Sequence, residues 1–166
     1  KRYWYSKTLF LARQMGWRPG DGGRRLRAYR AYLSSLLPNT KVRLFYRVFG
    51  LPGIYKLFRA FVGWRLAAMP NKEMEDLILR VRPDLLVHPT VLDGYYLNDL
   101  VIYSKTHGVP LVALMNSWDN PSIKRTVLGQ IDRLLVWGEQ TADHAIDLMK
   151  MTPDHVVRFG AAQFDV

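Results

Sequence analysis

The stretch NSWDNPSIKR, residues 116–125, places Asn116, Ser117, Trp118, Asp119 and Asn120 directly after the apolar run VPLVALM. Amides, a hydroxyl, an indole and a carboxylate in five consecutive positions form a polar turn that can face a ligand, and Lys124 and Arg125 follow where an anion could meet them. The same residues also suit structural work. Asp119 and Asn120 can cap a helix that starts at Pro121, Trp118 can pack as a lid, and the two cations can be solvated. Three further polar groups stand in the same relation to a short apolar run: His88 after DLLV, Glu139 after RLLVWG and Gln163 after HVVRFGAA. An imidazole titrates near neutral pH, so His88 is a candidate for proton transfer.

Metal chemistry has little support. The four histidines, at 88, 107, 144 and 155, show no ligand spacing, and the chain has no cysteine. Disulfides, thiolate metal sites and cysteine nucleophiles are therefore excluded, and we expect neither a metal nor a cofactor. The glycine-rich GWRPGDGG lacks the strand before it and the Lys-Ser or Lys-Thr after it that a phosphate loop needs, and reads as a turn between helices.

The elements that must position these groups are legible in the second half. NKEMEDLILRVR has apolar residues at helical spacing and stops before Pro83; LNDLVIYSKTHG does the same and ends on Gly108. Asn120-Pro121 to Gly129 reads as a third helix, and a fourth runs to Met149. Apolar runs near 84–88, 110–116, 132–137 and 155–160 alternate with them. Short apolar strands alternating with amphipathic helices predict an α/β fold, a Rossmann-like open parallel sheet covered by helices on both faces. Ligands of such sheets sit beyond the carboxyl ends of the strands, where all the polar groups named above fall; the opposite ends carry turn residues such as Asp84, Pro110, Arg133 and Pro153.

Charge divides the chain differently. Residues 1–70 hold 15 Lys or Arg against one acid, Asp21, a net of +14, and 14 of the 21 aromatics. Residues 71–166 hold 9 bases and 13 acids, a net of −4. We read 1–70 as a basic, aromatic helical region and 71–166 as the Rossmann-like domain. Charges at Arg47, Lys56, Arg59 and Arg65 interrupt every apolar stretch before it reaches the roughly 20 residues of a spanning helix. No signal-peptide cleavage pattern is visible, and the start at Lys1 reads as a trimmed terminus. A basic aromatic helix can lie in an anionic membrane interface, so residues 24–66 are expected to meet such a surface.

From Pro83 to Asp165 the sequence resembles the N-terminal domain of GT-B glycosyltransferases of bacterial surface-polysaccharide synthesis, a superfamily that includes CDP-glycerol glycerophosphotransferases and UDP-N-acetylglucosamine 2-epimerases. The pieces that carry the resemblance are GVP leading into a strand that ends SWDN, DRLLVW followed by Glu139 at a helix start, and PDHVVRFGAA with FD behind it. The resemblance implies one of two Rossmann-like domains facing across a cleft. The first mainly holds the acceptor, the second, beyond this sequence, mainly the nucleotide sugar. On that reading the chain alone is an incomplete and inactive half of a glycosyltransferase.

The implied reaction needs a general base to deprotonate an acceptor hydroxyl, for which Asp119, His88 and Asp93 are the candidates, and cations or helix N-termini to neutralise a leaving diphosphate. Asn116, Ser117, Trp118, Asn120, Lys124, Arg125, Glu139 and Gln163 are the candidate binding residues. The implied partners are a nucleotide-sugar donor and a glycan or lipid-linked acceptor, and the implied location is the cytoplasm, peripheral on the inner face of the membrane. The competing reading is a non-catalytic α/β module that binds an anionic membrane or nucleic acid; no nucleic-acid motif accompanies the basic half, so nucleic acid is the weaker partner.

Overall fold

The computed structural model describes residues 2–16, 24–37, 39–89, 96–115, 117 and 127–161. The chain is mixed α/β, with seven helices and one four-stranded parallel sheet among these residues. It divides into two compact units, Lys1–Arg65 and Leu66–Val166.

In the first unit, α1 (Arg2–Met15), α2 (Arg24–Leu36) and α3 (Thr40–Phe49) are followed by α4 (Pro52–Ala68), which crosses the unit boundary. Leu11 and Met15 of α1 meet Leu33 of α2 in a small core, with Tyr46 of α3 against it. Asn39 caps α3 by accepting a hydrogen bond from the Lys41 amide at 2.8 Å. The ends of α1 and α3 approach closely at Gly16 and Gly50, where a side chain on either glycine would meet backbone of the other helix.

In the second unit, α5 (Lys72–Val81) starts at Asn71, whose side chain accepts from the Met74 amide, and stops at Arg82 in a left-handed conformation (φ 51°) before Pro83. Acidic Glu73 and Glu75 stand in its first turn and Arg80 in its last, as the helix dipole favours. Then come β1 (Leu86–His88), α6 (Leu97–His107), β2 (Leu111–Leu114), β3 (Arg133–Val136), α7 (Glu139–Met149) and β4 (Val156–Arg158). Gly108, at φ 69°, ends α6 by donating its amide to the Ser104 carbonyl.

The strands pair in sequential order, all parallel, with Leu86 beside Leu111, Val112 beside Arg133 and Leu134 beside Val156. All four fall within the expected apolar runs, each shorter by a residue or more at its ends. Leu86, His88, Leu111, Ala113, Leu134 and Val136 point to one face and are buried there with Leu97 and Val101 of α6 and Ala145 of α7.

The described helices α5, α6 and α7 share one core with the strands, through Ile78, Leu97, Val101, Ala142 and Ala145. The alternate residues at the sheet margins, Val87 and Val157, are 52% and 38% exposed. The helix expected from Pro121 to Gly129 lies outside the described residues as far as 126, and Val127–Asp132 is irregular backbone. The GWRPGDGG turn also lies outside them over residues 17–23.

Candidate functional site

Parallel strands deliver all their carboxyl ends to one edge, and each end contributes something different. His88 closes β1 on the helix-covered face and is buried, with 7% exposure. The β2 chain continues past Leu114 in ladder geometry, since the Met115 amide donates to the Leu135 carbonyl at 2.9 Å. The Met115 carbonyl in turn accepts from the Trp137 indole nitrogen at 2.9 Å, so Trp137 ties the ends of β2 and β3 together. Ser117, two residues further on, is half-buried. Glu139 opens α7 and is exposed; its carboxylate accepts a 2.5 Å bond from the Arg158 guanidinium at the end of β4.

Of the residues singled out by sequence, His88, Ser117 and Glu139 are placed, all at this edge. Asp93, Asn116, Trp118, Asp119, Asn120, Lys124, Arg125 and Gln163 lie outside the described residues. The placed residues do not form one centre. β1 and β4 are the two margins of the sheet, three strand spacings or about 14 Å apart. His88 therefore stands at one margin and the Glu139–Arg158 pair at the other, too far apart to act on one proton.

Two residues at this edge escaped the sequence reading. Asn98 and Asp99, in the first turn of α6, are 4% and 7% exposed. The Asn98 side-chain oxygen accepts from the Leu128 amide at 2.9 Å, which binds the chain leading into β3 to the start of α6. Asp99 is a buried carboxylate engaged within the structure, on the helix that packs across β1 and β2. Burying an ionisable group is costly without partners. The signal lay in LNDLV, where Asn98 and Asp99 fall among the inward-facing Leu97 and Val101; an acid in a first helical turn reads more simply as a complement to the helix dipole.

Both α6 and α7 begin at this edge, at Tyr96 and Gly138, and neither start has a side-chain cap. Their amide-bearing ends add positive partial charge beyond the strands. Among the described residues no group of three or more His, Asp or Glu could hold a metal ion.

The opposite edge holds an open cleft of about 530 Å³ between the end of α6 and the chain entering β3, lined by Ser104, Lys105, Pro110, Gln130 and Asp132 among others. Its carboxylate already serves the fold. Asp132 Oδ2 accepts from the Leu111 amide at 2.7 Å and from the Ser104 hydroxyl at 3.4 Å. The cleft is thus built from the end of α6 and the turn residues that seat β2 against it. No family model, curated protein or solved structure matches the chain, so the function of the carboxyl edge has to be argued from its chemistry.

Proposed function

We propose that the second unit is the acceptor-side domain of a nucleotide-sugar-dependent glycosyltransferase of GT-B type, acting in surface-polysaccharide or glycolipid synthesis. The observation that carries the reading is the open parallel sheet with its polar side chains at the carboxyl edge, the place where sheets of this kind bind ligands. The sequence resemblance over Pro83–Asp165 supplies the class of reaction. In this reading Asp119, His88 or Asp93 deprotonates the acceptor hydroxyl, while Asn116, Ser117, Trp118, Asn120, Lys124, Arg125 and Gln163 orient the acceptor. Glu139 belongs to the rim with Arg158. A second α/β domain facing this one holds most of the nucleotide sugar.

Calorimetry of the chain with UDP- and CDP-sugars is then expected to give at best about millimolar affinity, whereas a soluble phosphate-bearing glycan should shift the amide resonances of 115–117 and 137–139. In the enzyme that carries this domain, Asp119→Asn should lower turnover by about a hundredfold or more with little change in melting. Micromolar nucleotide-sugar binding by the chain alone would contradict the acceptor role. Normal turnover of Asp119→Asn would remove Asp119 from the reaction.

A further inference from the structure

α3 and α4 carry several large apolar side chains that are exposed. No residue of α3 is buried, yet Val42, Phe45 and Val48 share a broad arc of it. Phe49 packs on Phe45 at 4.4 Å and meets Phe58 of α4 at 5.1 Å, so the two helices join through aromatic rings. α4 is apolar on two sides. Tyr55, Val62 and Leu66 form its buried stripe. Ile54, Leu57, Phe61 and Trp64 recur at steps of three, four and three residues and form a second stripe facing away from the first. That second stripe is exposed, with Leu57 at 74% and Trp64 at 62%. Leu51, in the turn between the helices, is exposed too, and the α3 and α4 sides adjoin through the Phe49–Phe58 contact. Contiguous apolar patches of this kind mark a surface that is covered in use.

The charge around the patch says what covers it. Between residues 40 and 65 stand Lys41, Arg43, Arg47, Lys56, Arg59 and Arg65, and not one acid. A second copy of the chain would bring six like charges against six, which opposes pairing. Nucleic acid would use the cations and stack on the rings but would leave Leu57, Ile54 and Val42 in water. An anionic bilayer satisfies both parts: aliphatic and aromatic side chains enter the acyl boundary while Lys and Arg stay at the headgroups. The Arg65 guanidinium lies 5.6 Å from the Trp64 ring, which keeps cation and indole at one level. α4 has 17 residues, and no described helix is long and apolar enough to cross a membrane, so the pair would lie in the interface plane.

We infer that α3 and α4 form an interfacial anchor that seats residues 40–65 in the headgroup region of an anionic bilayer. This stands independently of the reading of the sheet edge.

The test is co-sedimentation of the full chain with vesicles of phosphatidylcholine alone and of phosphatidylcholine with phosphatidylglycerol at about 7:3. Binding should be at least about tenfold tighter to the anionic vesicles and fade toward 1 M salt. Replacing Lys41, Arg47 and Lys56 by Gln should weaken it by about a hundredfold, roughly fivefold per cation. Leu57→Ser with Trp64→Ser should also weaken it without lowering the melting temperature, because both side chains are exposed. Brominated lipid should quench tryptophan emission less in Trp64→Phe than in the unaltered chain. Equal binding to both vesicle types would overturn the inference. So would an oligonucleotide that displaces the vesicles with no effect of Leu57→Ser on its own binding, or a dimer in solution that Leu57→Ser dissociates.

Discussion

Gly50→Ala tests how the basic unit is held together. Gly50 has φ −82°, which any residue adopts, so the substitution strains no torsion. The difficulty is space: a methyl there would sit 2.3 Å from the Gly16 Cα, 2.4 Å from the Ala12 carbonyl oxygen and 2.6 Å from the Gly16 nitrogen. Ordinary contact begins near 3.4 Å, so the ends of α1 and α3 must part by about 1 Å. All three atoms are backbone and cannot rotate aside. We therefore expect about 3 kcal/mol of destabilisation, the upper end of what overpacking costs. Gly63→Ala is the control. It lies inside α4 with nothing within 4 Å of the added methyl, and should be neutral or stabilise by up to about 1 kcal/mol through helix propensity.

Two compact units need not melt together, so a single melting curve is a poor readout. Hydrogen exchange locates the loss instead. In Gly50→Ala, amides of Arg2–Met15 and Thr40–Phe49 should exchange about a hundredfold faster, the factor that 3 kcal/mol allows when opening is rate-determining by equilibrium. Amides of Leu111–Leu114 and Arg133–Val136 should keep their protection. Unchanged exchange in α1 and α3 would show that the helices do not depend on the Gly16–Gly50 approach. Equal loss from Gly63→Ala would show that the effect is not steric.

Asp132→Ala removes the acceptor of the Leu111 amide and should cost about 1–3 kcal/mol in urea unfolding, whereas Asp132→Asn keeps an acceptor oxygen in place and should cost less than half of that. Glu139→Gln breaks an ion pair whose side chains are 76% and 58% exposed, so stability should change by less than about 0.5 kcal/mol; a larger loss would mean that the pair fixes β4 to α7. Asn98→Ala should cost about 1–3 kcal/mol and raise exchange at the Leu128 amide before any other amide of 127–132, and a variant as stable as the parent would refute the role given to that bond.

The strands were legible because an apolar run bounded by Pro, Asp or Gly has few alternatives, and the trimming at their ends has a physical source. Pro110 has no amide to donate, yet its carbonyl accepts from Leu86, so it borders β2 without belonging to it. Periodicity also located α5, α6 and α7, and the stops at Pro83 and Gly108 acted as read. Sheet order was not legible, since nothing local in β1 to β4 encodes which neighbour each one takes. The separation of His88 from Glu139 followed from that order. The crossing of α1 and α3 was hidden for a similar reason: Gly16 and Gly50 are 34 positions apart and read singly as helix ends.

The two edges of the sheet hold their acids in different ways. Asp132 and Glu139 are acids seven residues apart on either side of β3, and residue type alone does not rank them. At the amino edge the Asp132 carboxylate accepts from the backbone amide that opens β2, a role that Ser104 reinforces. At the carboxyl edge Glu139 meets the exposed guanidinium of Arg158, at a helix start that lacks a side-chain cap. A group anchored to backbone is poorly placed to change partners, whereas one held by a solvated cation can exchange that partner for an anion or a hydroxyl at small cost. The buried His88, at the end of β1, and Asp99, in the first turn of α6, belong to the same carboxyl edge. The Glu139 carboxylate, held by a solvated cation, thus stands at the edge where open parallel sheets bind ligands, and the Asp132 carboxylate, committed to the fold, at the other.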